Sequence, residues 1–298
     1  MLLAEAISRF TEYLQFEKRF SQHTLRAYSD DLHQFTAFIA IQFDCHVVKD
    51  VVPPYVRTWL ASIKDDDASA KTINRKISSL RSFFRFLLRQ QVIEVSPMAS
   101  IVSQKQNKRL PRFVDKADID KIWRHADFPP TWQGQTERLI LMLLYQSGMR
   151  LSEVINLKEV HLDIAHSSLK ILGKGNKERI IPCNKQLISE LAHYRDEKRK
   201  IFEQFDAAVL FINEKGKKLY PKWVYNAVRK YLDPATTIDK RSPHVLRHTF
   251  ATHLLNEGAD LNAVKELLGH SSLASTQVYT HNTIGKLKDV FKKAHPKA

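Results

Sequence analysis

Apolar residues recur at spacings of three and four along most of this chain, and glycine occurs only 8 times in 298 positions. That pairing commits most of the chain to helices, since strands need period-two alternation and frequent turns between them. Segments near 2–18, 21–42, 53–63 and 70–90 are predicted helices. Ser21 stands where a helix N-cap would, and Pro53 and Pro54 suit the first turn of the third segment. Residues 1–102 therefore read as a small helical bundle. From 103 to 112 the chain carries Lys105, Lys108, Arg109 and Arg112, no acidic residue and almost no apolar one, with Pro111 near the end. This is linker composition. In the longer region 113–298, LKIL and RIIP flank the turn sequence GKGNKE as strand, turn and strand. Helices are predicted around them at 137–147, from 151, and at 185–202, 222–231, 243–257 and 261–268. The fold class expected is mainly α, α with a small β-sheet.

Charge narrows the partner. Lys and Arg number 47 against 32 Asp and Glu, a formal +15. Hydrophobic residues at 43% and charged ones at 27% exclude a wholly disordered chain. The longest apolar run, Leu139–Tyr145, falls far short of the roughly 18 to 20 residues that a membrane-spanning helix requires. The opening MLLAEAISRFTEYLQFEKRF has Glu5 and Arg9 inside its apolar pattern and no small-residue cleavage site, so it does not read as a signal peptide. Cytoplasmic residence, in association with the nucleoid, is the expectation, with no membrane partner. Cys45 and Cys183, the only cysteines, lack a second Cys at metal-ligand spacing and read as buried thiols. An excess of positive charge without a lipid anchor favours nucleic acid over phospholipid.

The segment KTINRKISSLRSFFRFLLRQ divides cleanly on a helical wheel. Ile73, Ile77, Leu80, Phe84 and Leu87 share one face, and Arg75, Arg81, Arg85 and Arg89 lie away from it. Two readings stand open: a solvated basic surface, or a helix laid on DNA with its arginines on phosphates or in the major groove.

Several residues further on have side chains suited to chemistry. ERLILMLLYQSG ends near Gly148 and MRLSEVINL begins there, with Arg150 and Glu153 spaced to share a helical face, so that the carboxylate can orient the guanidinium. Lys174 sits between Gly173 and Gly175 at the tip of the predicted hairpin. SPHVLRHTFATHLL puts His244 and Arg247 on one helical face, with Val245, Leu246, Phe250, Leu254 and Leu255 available for the core. LNAVKELLG stops at Gly269, a left-handed helix stop, and His270 follows; Tyr279 lies in SSLASTQVYTH. Taken singly, each has an ordinary structural reading: a salt bridge, a solvated turn lysine, a core tyrosine. No HExxH, Walker A loop or paired-carboxylate cluster at nuclease spacing is present.

Taken in order, R-L-S-E, G-K-G-N-K-E-R, H-V-L-R-H, L-L-G-H and T-x-x-Y-T-H resemble the motifs of the tyrosine site-specific recombinases, most closely the Xer type, over nearly the whole chain. Small departures are Met149 and Leu151, where the family more often has Leu and Val, and Asn282 after YTH. They bear on packing and substrate preference. The resemblance implies an N-terminal helical core-binding (SAM-like) bundle at 1–102, a basic linker at 103–112, and a mostly helical catalytic domain at 113–298 with an exchangeable C-terminal helix. For that helix, Ile284, Leu287, Val290 and Phe291 have the spacing to dock in an apolar groove, either on their own domain or on a neighbouring subunit.

The resemblance also implies a reaction. Arg150, Lys174, His244, Arg247 and His270 form the phosphate-activating pocket, Tyr279 is the nucleophile and Glu153 a supporting carboxylate. Arg75, Arg81, Arg85, Arg89, Lys105, Lys108 and Arg109 are the residues expected to touch DNA. No metal, cofactor or ATP is implied. The partners are double-stranded DNA carrying a specific recombination site, a homo- or hetero-tetramer on two such sites, and in some systems a second Xer-type recombinase and a division-associated DNA translocase. The cellular role implied is resolution of chromosome or plasmid dimers during segregation. Alternatives are a mobile-element integrase or transposase, a relaxing enzyme like a type IB topoisomerase, or a catalytically silent DNA-binding accessory protein.

Overall fold

In the computed structural model, residues 1–105, 113–172, 178–239 and 241–269 are described. The chain forms two compact units, Met1–Arg109 and Leu110–Ala298. The first is built on α1 (Leu3–Glu12), a π-helical turn (Tyr13–Glu17), α2 (Gln22–Phe43), α3 (Pro53–Asp65) and α4 (Ala70–Arg89). Ser21 and Ser69 start α2 and α4 by accepting the amide N–H of Thr24 and of Thr72, and Pro53 and Pro54 open α3. The five apolar positions predicted for α4 are all buried, against Phe10, Leu32, Phe35, Ile39 and Trp59.

That apolar face also carries one charge, Lys76, and α2 supplies the carboxylate to match it. Asp31, 1% exposed, accepts from Lys76 Nζ at 3.0 Å and Ser79 Oγ at 2.8 Å and pairs with Arg75. Lys76 also donates to Gln34 and lies over the Trp59 ring, 5.4 Å from its centre. A buried carboxylate persists only where donors surround it, so this network sets the rotation of α4 against α2.

The second unit runs α5 (Lys116–His125), α6 (Trp132–Ser147), α7 (Leu151–Ile155), β1 (Leu162–Asp163), β2 (Ser168–Leu172), β3 (Glu178–Pro182), α8 (Lys185–Ile201), α9 (Pro221–Leu232), α10 (Pro243–Asn256) and α11 (Leu261–Leu268). The strands form an antiparallel sheet in the order β1-β2-β3, with Leu169 opposite Ile181 and Ile171 opposite Arg179. The apolar run Leu139–Tyr145 is the centre of α6 and is buried on every side. α6 starts at Thr131, whose hydroxyl accepts the Gly134 N–H, and stops at Gly148 with φ +60. α11 starts at Asp260, which accepts from Asn262 and Ala263, and stops at Gly269 with φ +61.

Four details depart from the sequence reading. α5 and β1 were not predicted, and α6 begins several residues earlier than expected. Leu255 is 37% exposed instead of entering the core. Phe250 and Leu254 are buried along one side of α10, and a residue following Leu254 is rotated about 100° away from them. Cys45 and Cys183 are buried free thiols, and burial raises Cys183 to about 12. Among the described residues no helix is long and apolar enough to cross a membrane. The C-terminal positions Ile284, Leu287, Val290 and Phe291 lie outside the described residues.

Candidate active site

Three arginines from three parts of the second unit converge on the last turn of α11. Arg150, between α6 and α7, donates from Nη2 to the Gly269 carbonyl at 2.7 Å. Arg247 on α10 donates from Nη2 to Leu268 O and from Nη1 to Gly148 O, both at 2.6 Å. Arg179 on β3 donates from Nε to Leu267 O at 3.0 Å. The final carbonyls of a helix have no partner within it and carry the negative end of its dipole, so a helix C-terminus collects cations. Here α11 is the post around which the guanidinium groups are arranged.

One carboxylate ties two of them together. Glu153 Oε2 accepts the Arg150 backbone N–H at 2.7 Å, and Oε1 accepts Arg150 Nη1 at 2.9 Å. Arg179 grips the same carboxylate with both ends of its fork, Nη1 to Oε1 at 2.9 Å and Nη2 to Oε2 at 2.8 Å. Burial alone would raise the Glu153 carboxyl, but the bonds and charge of Arg179 and the bonds of Arg150 outweigh it and hold the group below the ordinary carboxylate range. Orientation of Arg150 by Glu153 was expected from a shared helical face. Arg150 is instead the extended N-cap residue of α7, and Glu153, in the first turn, reaches back to it as a capping-box glutamate does.

The cluster is cation-rich, with three guanidinium groups facing one carboxylate. Arg247, 5% exposed, is lowered to about 10, first by burial and then by Arg150. Such a site gains from an anion that supplies the missing negative charge. Arg150 is the more open of the two expected clamps, its side chain 35% exposed.

His244 is exposed on the first turn of α10, its Nε2 3.0 Å from Nε2 of His248. In such a contact one imidazole gives the proton and the other the lone pair. Burial, then the charge of Arg247, depresses the His248 pKa. Lys174, His270 and Tyr279 lie outside the described residues, as do Lys108 and Arg109. The structure thus brings together Arg150, Glu153 and Arg247 of the predicted set, with His244 one turn before Arg247 on α10.

Arg179 was missed. It stood in view as the first residue of the strand RIIP, and its signal was period two: Arg179, Ile181 and Cys183 alternate onto one buried side. A basic residue at an inward strand position demands a buried acceptor, and Glu153 is that acceptor.

In the first unit, the four candidate DNA-binding arginines of α4 divide. Arg81 is half-buried and holds the segment after α4, donating to Ile101 O and to Ser103 Oγ at 3.0 Å. Arg75 is exposed but paired with Asp31. Arg85 and Arg89 are exposed and, with Lys18, Tyr13 and Ser82, line one surface niche, Arg89 donating to the Tyr13 hydroxyl at 2.7 Å. Lys105 is exposed. Among the described residues no three His, Cys, Asp or Glu side chains gather as metal ligands would.

Comparison with known proteins covers both units. Residues 112–285 match the phage integrase family and residues 7–91 the phage integrase N-terminal SAM-like domain. The chain is 39% identical to tyrosine recombinase XerC of Oceanobacillus iheyensis, over 98% of this chain and 96% of the relative. It is 36% identical to tyrosine recombinase XerC of Bacillus subtilis, over 98% and 96%. Among solved structures, the Tn1549 transposon integrase in complex with transposon right end DNA shares the fold, with a TM-score of 0.71 at 18% identity over 97% of this chain and 99% of that one. XerH bound to a palindromic difH substrate does so with a TM-score of 0.70 at 23% identity, over 95% and 83%.

Proposed function

This chain belongs to the phage integrase family, the tyrosine recombinases, and on that premise we propose that it cleaves and rejoins DNA strands at a specific site through a 3′-phosphotyrosyl intermediate. The observation that carries the reading is the convergence of Arg150 and Arg247 on adjacent carbonyls, Gly269 and Leu268, at the end of α11. Two preorganised guanidinium groups on neighbouring anchor points suit a phosphodiester, whose nonbridging oxygens stay charged throughout an in-line displacement.

In the proposed reaction the Tyr279 phenolate attacks phosphorus and the bond to the 5′ oxygen breaks. A free tyrosine has a pKa of about 10, so about one in a thousand is ionised at neutral pH, and His244 accepts its proton. Lys174 gives a proton to the departing 5′ oxygen, and His270 donates a hydrogen bond to the phosphate. The phosphotyrosyl link conserves the bond broken. Attack by the 5′ hydroxyl of another strand reverses the step and exchanges partners, with no call on metal or ATP.

Residues 103–112 serve as the linker between a core-binding domain at 1–102 and a catalytic domain at 113–298, and four protomers assemble on two sites. The Xer names of the relatives favour resolution of chromosome or plasmid dimers, with a second recombinase or a DNA translocase as further partners. The test is a suicide substrate: nicked duplex carrying candidate sites, incubated with protein in EDTA and scored for a denaturant-stable adduct. An adduct formed by the wild type and abolished in Tyr279→Phe, with binding retained, is the expected result. An adduct that survives in Tyr279→Phe moves the nucleophile elsewhere.

A further inference from the structure

We infer that Arg179 is a positioning residue for strand cleavage, holding Arg150 in its phosphate-facing orientation through Glu153 and the end of α11. The inference rests on the reading of Arg150 as a phosphate clamp and names a residue to which the sequence motifs gave no role.

The geometry is that of a shared carboxylate. Each Glu153 oxygen takes one bond from Arg150 and one from Arg179: Oε1 from the two Nη1 groups, and Oε2 from the Arg150 backbone N–H and Arg179 Nη2. A carboxylate has about four lone-pair sites, so Glu153 is fully committed. The two-pronged grip of Arg179 fixes the plane of the carboxylate, and that plane fixes where Arg150 Nη1 must lie.

Arg179 is itself held firmly. It stands on β3 in register with Ile171, only 5% exposed, with Nε on Leu267 O. Its side chain also lies close beside Gly269: a Cβ placed there would meet Arg179 Nη1 at 3.1 Å and Cδ at 3.2 Å. Gly269 O is the second anchor of Arg150. Arg179 therefore acts on Arg150 at both of its anchors, the carboxylate and the carbonyl, while Arg150 remains the more exposed of the two. A supporting group buried on a strand behind a more open functional group is the arrangement that holds a side chain to a tight tolerance.

Arg179→Lys keeps the charge and loses the fork; Glu153→Gln keeps the shape and loses the charge. Full-length wild type, both single variants, the double variant and Arg150→Ala are compared for thermal midpoint, affinity for a duplex bearing the site, and single-turnover adduct formation at saturating DNA. Arg179→Lys is expected to bind within about threefold of wild type and to form adduct at least about tenfold more slowly, a loss in the chemical step and not in binding. The double variant is expected to be no slower than the slower single, because both act through one interaction. Multiplicative losses, or an Arg179→Lys rate within about twofold of wild type, would overturn the inference. Should Arg179→Lys not fold, Glu153→Gln alone decides, since an unchanged adduct rate in a folded Glu153→Gln removes the route from Arg179 to Arg150. Arg150→Ala separates the two levels: if it cleaves normally, the clamp reading itself fails, whereas loss there beside a normal Arg179→Lys sinks only the role of Arg179.

Discussion

At the scale of the residue, Glu153 shows how one side chain can join a helix start to two guanidinium groups. Its carboxylate caps the start of α7 and binds both Arg179 and Arg150, and its pKa is held below the ordinary 4.5. A carboxyl depressed in the folded state contributes stability that is fully present above the unfolded value and is lost as pH falls through the folded one. The difference in thermal midpoint between wild type and Glu153→Gln should therefore be greatest near about pH 6 and shrink toward about pH 3, as the wild-type carboxyl takes up its proton. A gap that stays constant over that range would mean that the ionised form contributes nothing to the fold. Arg247 has the opposite bias: burial lowers it to about 10, so charging it is a cost that the fold bears and that a bound phosphate would relieve.

Elements decide which residues meet, and their ends matter more here than their middles. Gly148 closes α6 at φ +60, and a Cβ there would sit 2.4 Å from Phe250 Cδ1; the same glycine lends its carbonyl to Arg247. Gly148→Ala would have to bear left-handed strain of about 1–2 kcal/mol and overpacking of about 1–3 kcal/mol. A loss of at least about 2 kcal/mol in urea unfolding is expected, and a loss under about 0.5 kcal/mol would mean that the chain relaxes freely at this junction. Helix centres and a few helix ends were legible in the sequence, because period 3.6, Ser21, Pro53 and Gly269 act locally; the caps Ser69, Thr131, Asn184 and Asp260 were not. The rest has physical reasons: α5 is short and mostly polar, β1 is two residues held by pairing with β2, and Leu255 lies one residue past the buried side of α10, on a face turned to solvent. Of the candidate site, Arg150, Glu153 and Arg247 were found by motif. Arg179 closes the G-K-G-N-K-E-R motif but received no role there, because its importance lies in a partner distant in sequence, Glu153.

On the scale of the whole molecule, an excess of +15 is a long-range field, and the question is which charges remain to meet a polyanion once the fold has taken its share. Lys76 is taken up by Asp31 and Gln34, Arg75 by Asp31, Arg81 by the chain at Ile101 and Ser103, and Arg179 by Glu153. Arg85 and Arg89, exposed at the end of α4 beside Lys18, stand outside those buried networks. Replacing Arg85 and Arg89 together by Ala should therefore weaken DNA binding and reduce the slope of log K against log salt by roughly 2, about 0.9 for each phosphate that is no longer neutralised. Arg81→Ala should act elsewhere, lowering the stability of the first unit while leaving the salt slope nearly unchanged, because its guanidinium is already committed to the backbone. Titrating both variants against one duplex over a range of salt separates the two kinds of arginine. A steep slope retained by the Arg85 and Arg89 double variant, with a flattened one in Arg81→Ala, would reverse the assignment and place the DNA on the side of α4 that faces the segment after residue 100.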